Sequence, residues 1–282
     1  MRSVANFGFP PFTRTVKALV IVCTAIWFVQ FLLGRSAYQE INNFILYYFG
    51  LTPTQVLRGK IWQLVTYSFL HASLGHVFFN MLSLWMFGSQ LEQDWGRQRF
   101  LEFYFFSVVG GGLCTVAVSY AHILGMNPWI STVGASGGIF GLLVAYGILY
   151  AKQRLYIYGI FPIQARWLAI IWVGLALYSA LAGTGGNVAQ IAHLGGALFG
   201  YIYLKALPRR GLKFATSEGY YGFRNRYQRW KRKRMAKKFE VFMKQHDRKQ
   251  YFDEYGNYRA PSEEERKRDE ENGKGSGSGW VN

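Results

Sequence analysis

From about residue 16 to residue 206 the chain runs through a succession of apolar blocks, with its charged residues confined to the gaps between them. A hydrocarbon core of about 30 Å asks for roughly 20 apolar residues per helix. Six blocks are read as expected spans on that basis: 16–34, 73–91, 99–120, 135–151, 166–183 and 188–206. The fourth and sixth are rich in glycine, which predicts close helix packing. The segment between the first two, roughly 35 to 72, alternates aromatic and polar residues without reaching span length. Short amphipathic helices at the outer interface are expected there, with Thr52-Pro53 marking a helix start. The fold class is therefore an all-α membrane protein, a six-transmembrane-helix bundle with a long first outer loop and a soluble basic tail.

Charge orients this arrangement. Arg97 and Arg99 lie between spans two and three, Lys152, Arg154 and Arg166 between four and five, and a basic tail follows six. All fall on one side if both termini are cytoplasmic, as the excess of Lys and Arg in inner loops requires. The opposite side has only Arg35, Arg58 and Lys60 in its first loop and no Lys or Arg in the 121–134 and 184–187 connections. The first block follows Arg14 and Lys17 but lacks a small-residue cleavage site, so a retained helix is expected rather than a signal peptide. The expected organisation is a cytoplasmic segment over 1–15, a membrane domain over 16–206, a basic helical tail over 207–249 and a disordered end over 250–282.

Composition adds two constraints. The net charge of +17 over 282 residues comes mainly from the tail, since residues 205–249 hold 16 Lys or Arg against Glu218, Glu240 and Asp247. The two cysteines, Cys23 and Cys114, both sit in apolar blocks, which excludes a disulfide framework and any cysteine metal spacing. No metal or cofactor is implied.

Polar groups inside a bilayer are costly and mark function by default. His76 and Asn80 stand at i and i+4 on one face of the second span, Ser136 opens the fourth, and His193 lies in the sixth. These three spans run in the same direction, so the four residues share one depth near the outer surface. A serine hydroxyl needs a base to become a nucleophile, and neutral imidazole is the usual one. Of the two histidines, His76 is paired with Asn80, whose amide cannot act as a base, and such a donor pair suits an oxyanion. His193 is the better base, because Gly195, Gly196 and Gly200 on its helix, facing Gly137 and Gly141, let the backbones approach. No Asp or Glu occurs between Glu102 and Glu218, so a Ser-His pair has to work as a dyad. Phe140, one turn after Ser136, is placed to stack on the imidazole, and Gly134 lets an irregular loop deliver the Ser136 amide beside His76 and Asn80.

The pattern resembles the rhomboid family of intramembrane serine proteases. GASG around Ser136, HVFFN with His76 and Asn80, and AHLGGALFG around His193 carry the resemblance, which covers about residues 10 to 206. It implies Ser136 as nucleophile, His193 as general base and acid, and His76, Asn80 and the Ser136 amide as the oxyanion hole. It also implies hydrolysis of a peptide bond in transmembrane substrates through an acyl-enzyme, with no cofactor. One departure is that Trp62-Gln63 stands where the family often has Trp-Arg, which puts the first loop's hydrogen bonds in question. The alternatives are a non-catalytic rhomboid-like membrane-protein binding factor and, from another class, a transporter, for which no inverted repeat is visible. The expected location is a multi-pass protein of a bacterial inner membrane. The tail segment RNRYQRWKRKRMAKKFEVFMKQ mixes basic and aromatic residues, as a helix on anionic lipid does, whereas no nucleic-acid module accompanies its charge.

Overall fold

A computed structural model of the protein describes residues 10–34, 39–157, 161–182, 187–206, 224–238, 254–255, 257 and 262–271. The chain divides into two units, Met1–Ala215 and Thr216–Asn282. Within the first unit the described residues form helices α1 (Arg14–Leu33), α2 (Gln39–Phe49), α3 (Pro53–Leu57), α4 (Gln63–Thr66), α5 (Leu74–Ser83), α6 (Ser89–Trp95), α7 (Arg97–Tyr120), α8 (Ser136–Leu149), α9 (Ala165–Ala182) and α10 (Asn187–Ala206). A two-stranded antiparallel hairpin, β1 (Arg154–Ile157) and β2 (Phe161–Gln164), joins α8 to α9, with Arg154 opposite Gln164.

Three helices, α1, α7 and α9, are long and apolar enough to cross a membrane. The other three expected spans are helical but differ in kind. Helices α5 and α6 are joined by a π-helical turn, Leu84–Gly88, so residues 74–95 are helical throughout. Helix α8 is apolar but has 14 residues, and α10 carries Asn187, Gln190, His193 and Lys205 along its length. Bulky lipophilic residues on α1 and α9, among them Ile21, Phe28, Ile170 and Tyr178, are exposed. That distribution is inside-out for water and ordinary for lipid.

The core lies between α5, α7, α8 and α10, where Phe100, Phe103, Tyr104, Leu84 and Leu142 are fully or almost fully buried. The start of α1 is held by Glu92. Its carboxylate accepts the backbone N–H of Thr15 at 3.1 Å and of Val16 at 3.0 Å, and also the Thr13 hydroxyl. These are helix N-terminal donors with no intrahelical acceptor, and an anion there also complements the helix dipole. Trp85 adds a second tie, donating to the Pro10 carbonyl at 2.8 Å while stacking on Phe12.

The first loop holds short helices, with Pro53 at the first position of α3. Gln63 is completely buried: its Oε1 accepts from Thr52 N–H at 3.1 Å and its Nε2 donates to the Tyr47 carbonyl at 2.9 Å. Trp62 Nε1 donates to the Tyr48 carbonyl at 2.9 Å. At the centre of the loop's hydrogen bonds is thus an amide that acts as donor and acceptor at once, with Trp62 and Thr66 adding others. The loop is stitched in turn to the segment before α8. Leu51 and Thr132 form an isolated antiparallel bridge, the Thr52 and Ser131 hydroxyls lie 2.6 Å apart, and Thr54 N–H donates to the Pro128 carbonyl.

In the second unit, residues 224–238 and Glu263–Glu271 are helical. The second helix falls inside the stretch expected to be disordered. In EEERKRDEE, Glu263 stands four residues before Lys267 and Glu264 four before Arg268, the order of charges that supports an exposed helix. The expectations for residues 1–9, for the connection over 184–186, for 207–223 and 239–249, and for most of 250–282 lie outside the described residues.

Candidate active site

Ser136 is the first residue of α8. Its backbone N–H therefore has no acceptor within its own helix and lies at the positive end of the helix dipole. The chain reaches this point through Gly134, whose φ of +132° is a conformation that side chains rarely adopt. Space forbids a side chain there as well, since a Cβ on Gly134 would stand 2.7 Å from His76 Nε2 and 3.4 Å from Ser136 Oγ. Gly134 N–H donates to the Tyr67 carbonyl at 2.9 Å, and the buried Tyr67 hydroxyl donates to the Val108 carbonyl at 2.8 Å. The entry to α8 is thus fixed from both the first loop and α7.

His193 reaches Ser136 because the glycine rows of α8 and α10 touch at backbone level. A Cβ on Gly196 would overlap the Gly137 carbonyl and lie 3.0 Å from the Gly137 Cα, and one on Gly200 would lie 2.7 Å from the Gly141 Cα. With the helices this close, His193 Nε2 and Ser136 Oγ are 2.7 Å apart. The Phe140 ring lies parallel to the imidazole, with 4.4 Å between centroids and 3° between planes. On the far side of the ring, His193 Nδ1 is 3.1 Å from Gln190 Oε1. A carbonyl oxygen only accepts, so in the neutral ring the proton sits on Nδ1 and the Nε2 lone pair faces the serine hydroxyl.

His76 has the complementary tautomer. Ser73 caps α5 by accepting His76 N–H at 3.2 Å, and Ala72 N–H donates to His76 Nδ1 at 3.4 Å. That leaves the proton of the neutral ring on Nε2, the atom lying against Gly134. Asn80 is one turn further along the same face and is buried. One imidazole therefore offers a lone pair and the other an N–H, which is the division of labour between a base and an oxyanion donor. Among the described residues no group of three or more His, Cys, Asp or Glu could hold a metal ion.

Two neighbours were not anticipated from the sequence. Gln190 lies three residues before His193, on the same helical face, and that i, i+3 relation is the signal that could have found it. His71, in the loop before α5, is 2% exposed and sits edge-on to His76 with 5.1 Å between ring centroids. Burial, followed by the nearby His76 ring, pushes its imidazole down to about 4 against a small opposing effect of a backbone hydrogen bond at Phe69, so it is neutral at physiological pH.

Comparison with known proteins gives the family. The Rhomboid domain family model matches residues 58–210. The chain is 28% identical over 214 residues to Rhomboid protease AarA of Providencia stuartii, covering 71% of this chain and 74% of that one. It is 30% identical over 215 residues to Rhomboid protease GluP of Bacillus subtilis, covering 74% of this chain and 38% of that protein. A third relative, RHOMBOID-like protein 12, mitochondrial, of Arabidopsis thaliana, is 26% identical over 195 residues, which are 65% of this chain and 56% of the relative. The chain thus spans little more than half of the Arabidopsis protein and well under half of the Bacillus one. With the matched domain taking in every helix from α4 to α10, this chain is an integral membrane protein that belongs to the rhomboid family.

Proposed function

We propose that the protein is an intramembrane serine endopeptidase that cleaves transmembrane segments of other membrane proteins with a Ser136–His193 dyad. The observation that carries this reading is the 2.7 Å approach of Ser136 Oγ to His193 Nε2, with the Nδ1 proton committed to Gln190. The names of the relatives from Providencia and Bacillus, both rhomboid proteases, support it.

The chemistry follows from the donors and acceptors. Ser136 Oγ attacks the scissile carbonyl carbon as its proton passes to His193 Nε2, and the carbonyl oxygen becomes an oxyanion. His76 Nε2–H, the Asn80 amide and the Ser136 N–H stabilise that charge, each donor worth about 10²–10³ in rate. As the tetrahedral centre collapses, the C–N bond breaks and the imidazolium returns its proton to the leaving amine, leaving an acyl ester on Ser136. Water then attacks the ester with His193 again as base, releasing the acid and restoring the hydroxyl. No carboxylate orients the imidazole; Gln190 holds one edge and Phe140 one face.

In this reading six helical segments span the bilayer: α1, 74–95, α7, α8, α9 and α10. Both termini face the cytoplasm of a bacterium, and the serine end of α8 is near the outer surface. The test is cleavage of a helix-destabilised transmembrane substrate by protein reconstituted in lipid. Ser136→Ala and His193→Ala are each expected to reduce cleavage by about 10⁴-fold or more while leaving the thermal transition in place. Cleavage that survives Ser136→Ala overturns the assignment, and a folded wild type inert on a panel of such substrates favours the non-catalytic binding factor.

A further inference from the structure

The helix over 224–238 has no role in the proposed chemistry. It contains nine Lys or Arg and no Asp or Glu, and every one of its residues is exposed. Its two aromatic residues are interleaved with these charges and lie against each other. Tyr227 and Trp230 stack with ring centroids 6.0 Å apart, and the Arg234 guanidinium lies 5.3 Å from the Trp230 ring. Met235, about one turn further on, is exposed as well, and the three apolar side chains are between 37% and 53% exposed.

A solvated positive anchor needs the charges but not a cluster of exposed aromatic surface. Trp and Tyr are the residues that settle at the headgroup level of a bilayer, and a dense run of Lys and Arg close to a membrane helix is drawn to anionic headgroups. Position on the chain selects the partner. Arg224 follows the last residue of α10 by 18 positions, a reach of at most roughly 60 Å even when fully extended. If α10 spans the bilayer, as the proposed function has it, this helix is always within that distance of a lipid surface.

We infer that the helix over 224–238 is a docking surface for the anionic headgroups of the membrane that holds the protein. Its Lys and Arg side chains neutralise lipid charge while Tyr227, Trp230 and Met235 insert at the headgroup boundary. The inference rests on the membrane placement of α10 in the proposed function and adds a lipid-composition dependence to it. Each Lys or Arg near such a surface contributes measurably, and the attraction falls off within a Debye length.

The experiment uses the full chain with Met235→Cys carrying an environment-sensitive fluorophore. Cys23 is buried and Cys114 half-buried, so the new thiol is the reactive one. The protein is reconstituted in phosphatidylcholine alone and in phosphatidylcholine mixed with phosphatidylglycerol. The expected result is a blue-shifted emission, quenched by bromine-labelled acyl chains, only in the mixed bilayers and reversed by high salt. Combining Arg232→Glu, Lys233→Glu and Arg234→Glu is expected to reduce that quenching at least about fivefold, and Trp230→Ala to reduce its depth while keeping the salt response. Equal spectra in both bilayers overturn the inference, as does a shift that appears only when RNA is added. The readout needs no cleavage, so an inert protein that still shifts overturns the protease reading alone, and an active one that does not shift overturns this inference alone.

Discussion

Helices α9 and α10 both pack on α8, yet they do so in opposite ways. Along α10 the contact is backbone on backbone, with Gly196 against Gly137 and Gly200 against Gly141. Along α9 the buried residues are four alanines, Ala165, Ala169, Ala176 and Ala180, while Trp167, Ile170, Trp172, Leu175 and Tyr178 face outward. Without a hydrophobic driving force between helices in lipid, association rests on close packing and hydrogen bonds. The α8–α10 seam is therefore the rigid one, and the Ser136–His193 pair is built on it. Helix α9 reaches the same site through Ala176, which packs on Phe140 beside Ala197, with Val173 against the same cluster.

The most damaging way to break this contrast is a single methyl group in the seam. Gly196→Ala places a Cβ on the Gly137 carbonyl, so the helices have to separate. We expect a loss of about 1–3 kcal/mol in stability and, because a 1 Å displacement of reacting groups costs about 10² in rate, a fall in cleavage of two to three orders of magnitude, both read in reconstituted protein.

The loop before α5, against His76, has a pH signature. His71 is held near 4 in the folded state against an ordinary value of 6.5. Below 6.5 the unfolded chain binds this proton and the folded one does not, so stability falls as the pH drops from about 6.5 towards 4, by about 3 kcal/mol in all. Thermal unfolding of His71→Asn over the same range is expected to show a flatter profile than wild type; parallel profiles remove His71 as the source.

A smaller effect is expected at the edge of the imidazole. Gln190→Ala removes one neutral hydrogen bond of about 1 kcal/mol, so kcat falls about fivefold with KM unchanged, and Gln190→Asn or Glu restores it only where the shorter or charged group still accepts from Nδ1. A KM effect instead would place Gln190 against the substrate. Smallest of all, Leu175→Ala on the outer face of α9 is expected to change stability by less than about 0.5 kcal/mol, with the melting temperature in lipid as the check; a larger loss means that α9 is packed against more than lipid.

Much of this arrangement was legible because depth follows from where a residue sits in its apolar block. Ser136 at the mouth of one block, and His76 and His193 near the mouths of two parallel ones, share a level without any knowledge of the packing. The glycines of the two blocks then indicate which backbones meet. Phe140 follows from helical periodicity once Ser136 is chosen. What resisted reading depends on contacts between segments distant in sequence. Gln63 has the composition of an ordinary loop residue until Thr52, Tyr47 and Tyr48 converge on it. The π turn at Leu84–Gly88 leaves the apolar pattern of LWMFG unchanged, so nothing in that pattern announces it. The β1–β2 hairpin was lost between two spans because its strands have four residues each, too few for alternation to stand out.

The separation of Ser136 and His193 along the chain has a consequence in time. The two are 57 residues apart, and a ribosome adding about 5–20 residues per second takes roughly 3 to 11 s to cover that distance. On the proposed reading, the nucleophile is synthesised and enters the membrane without the base that activates it. In that reading the nascent chain cannot cleave until α10 has been made, so the order of synthesis itself delays the activity.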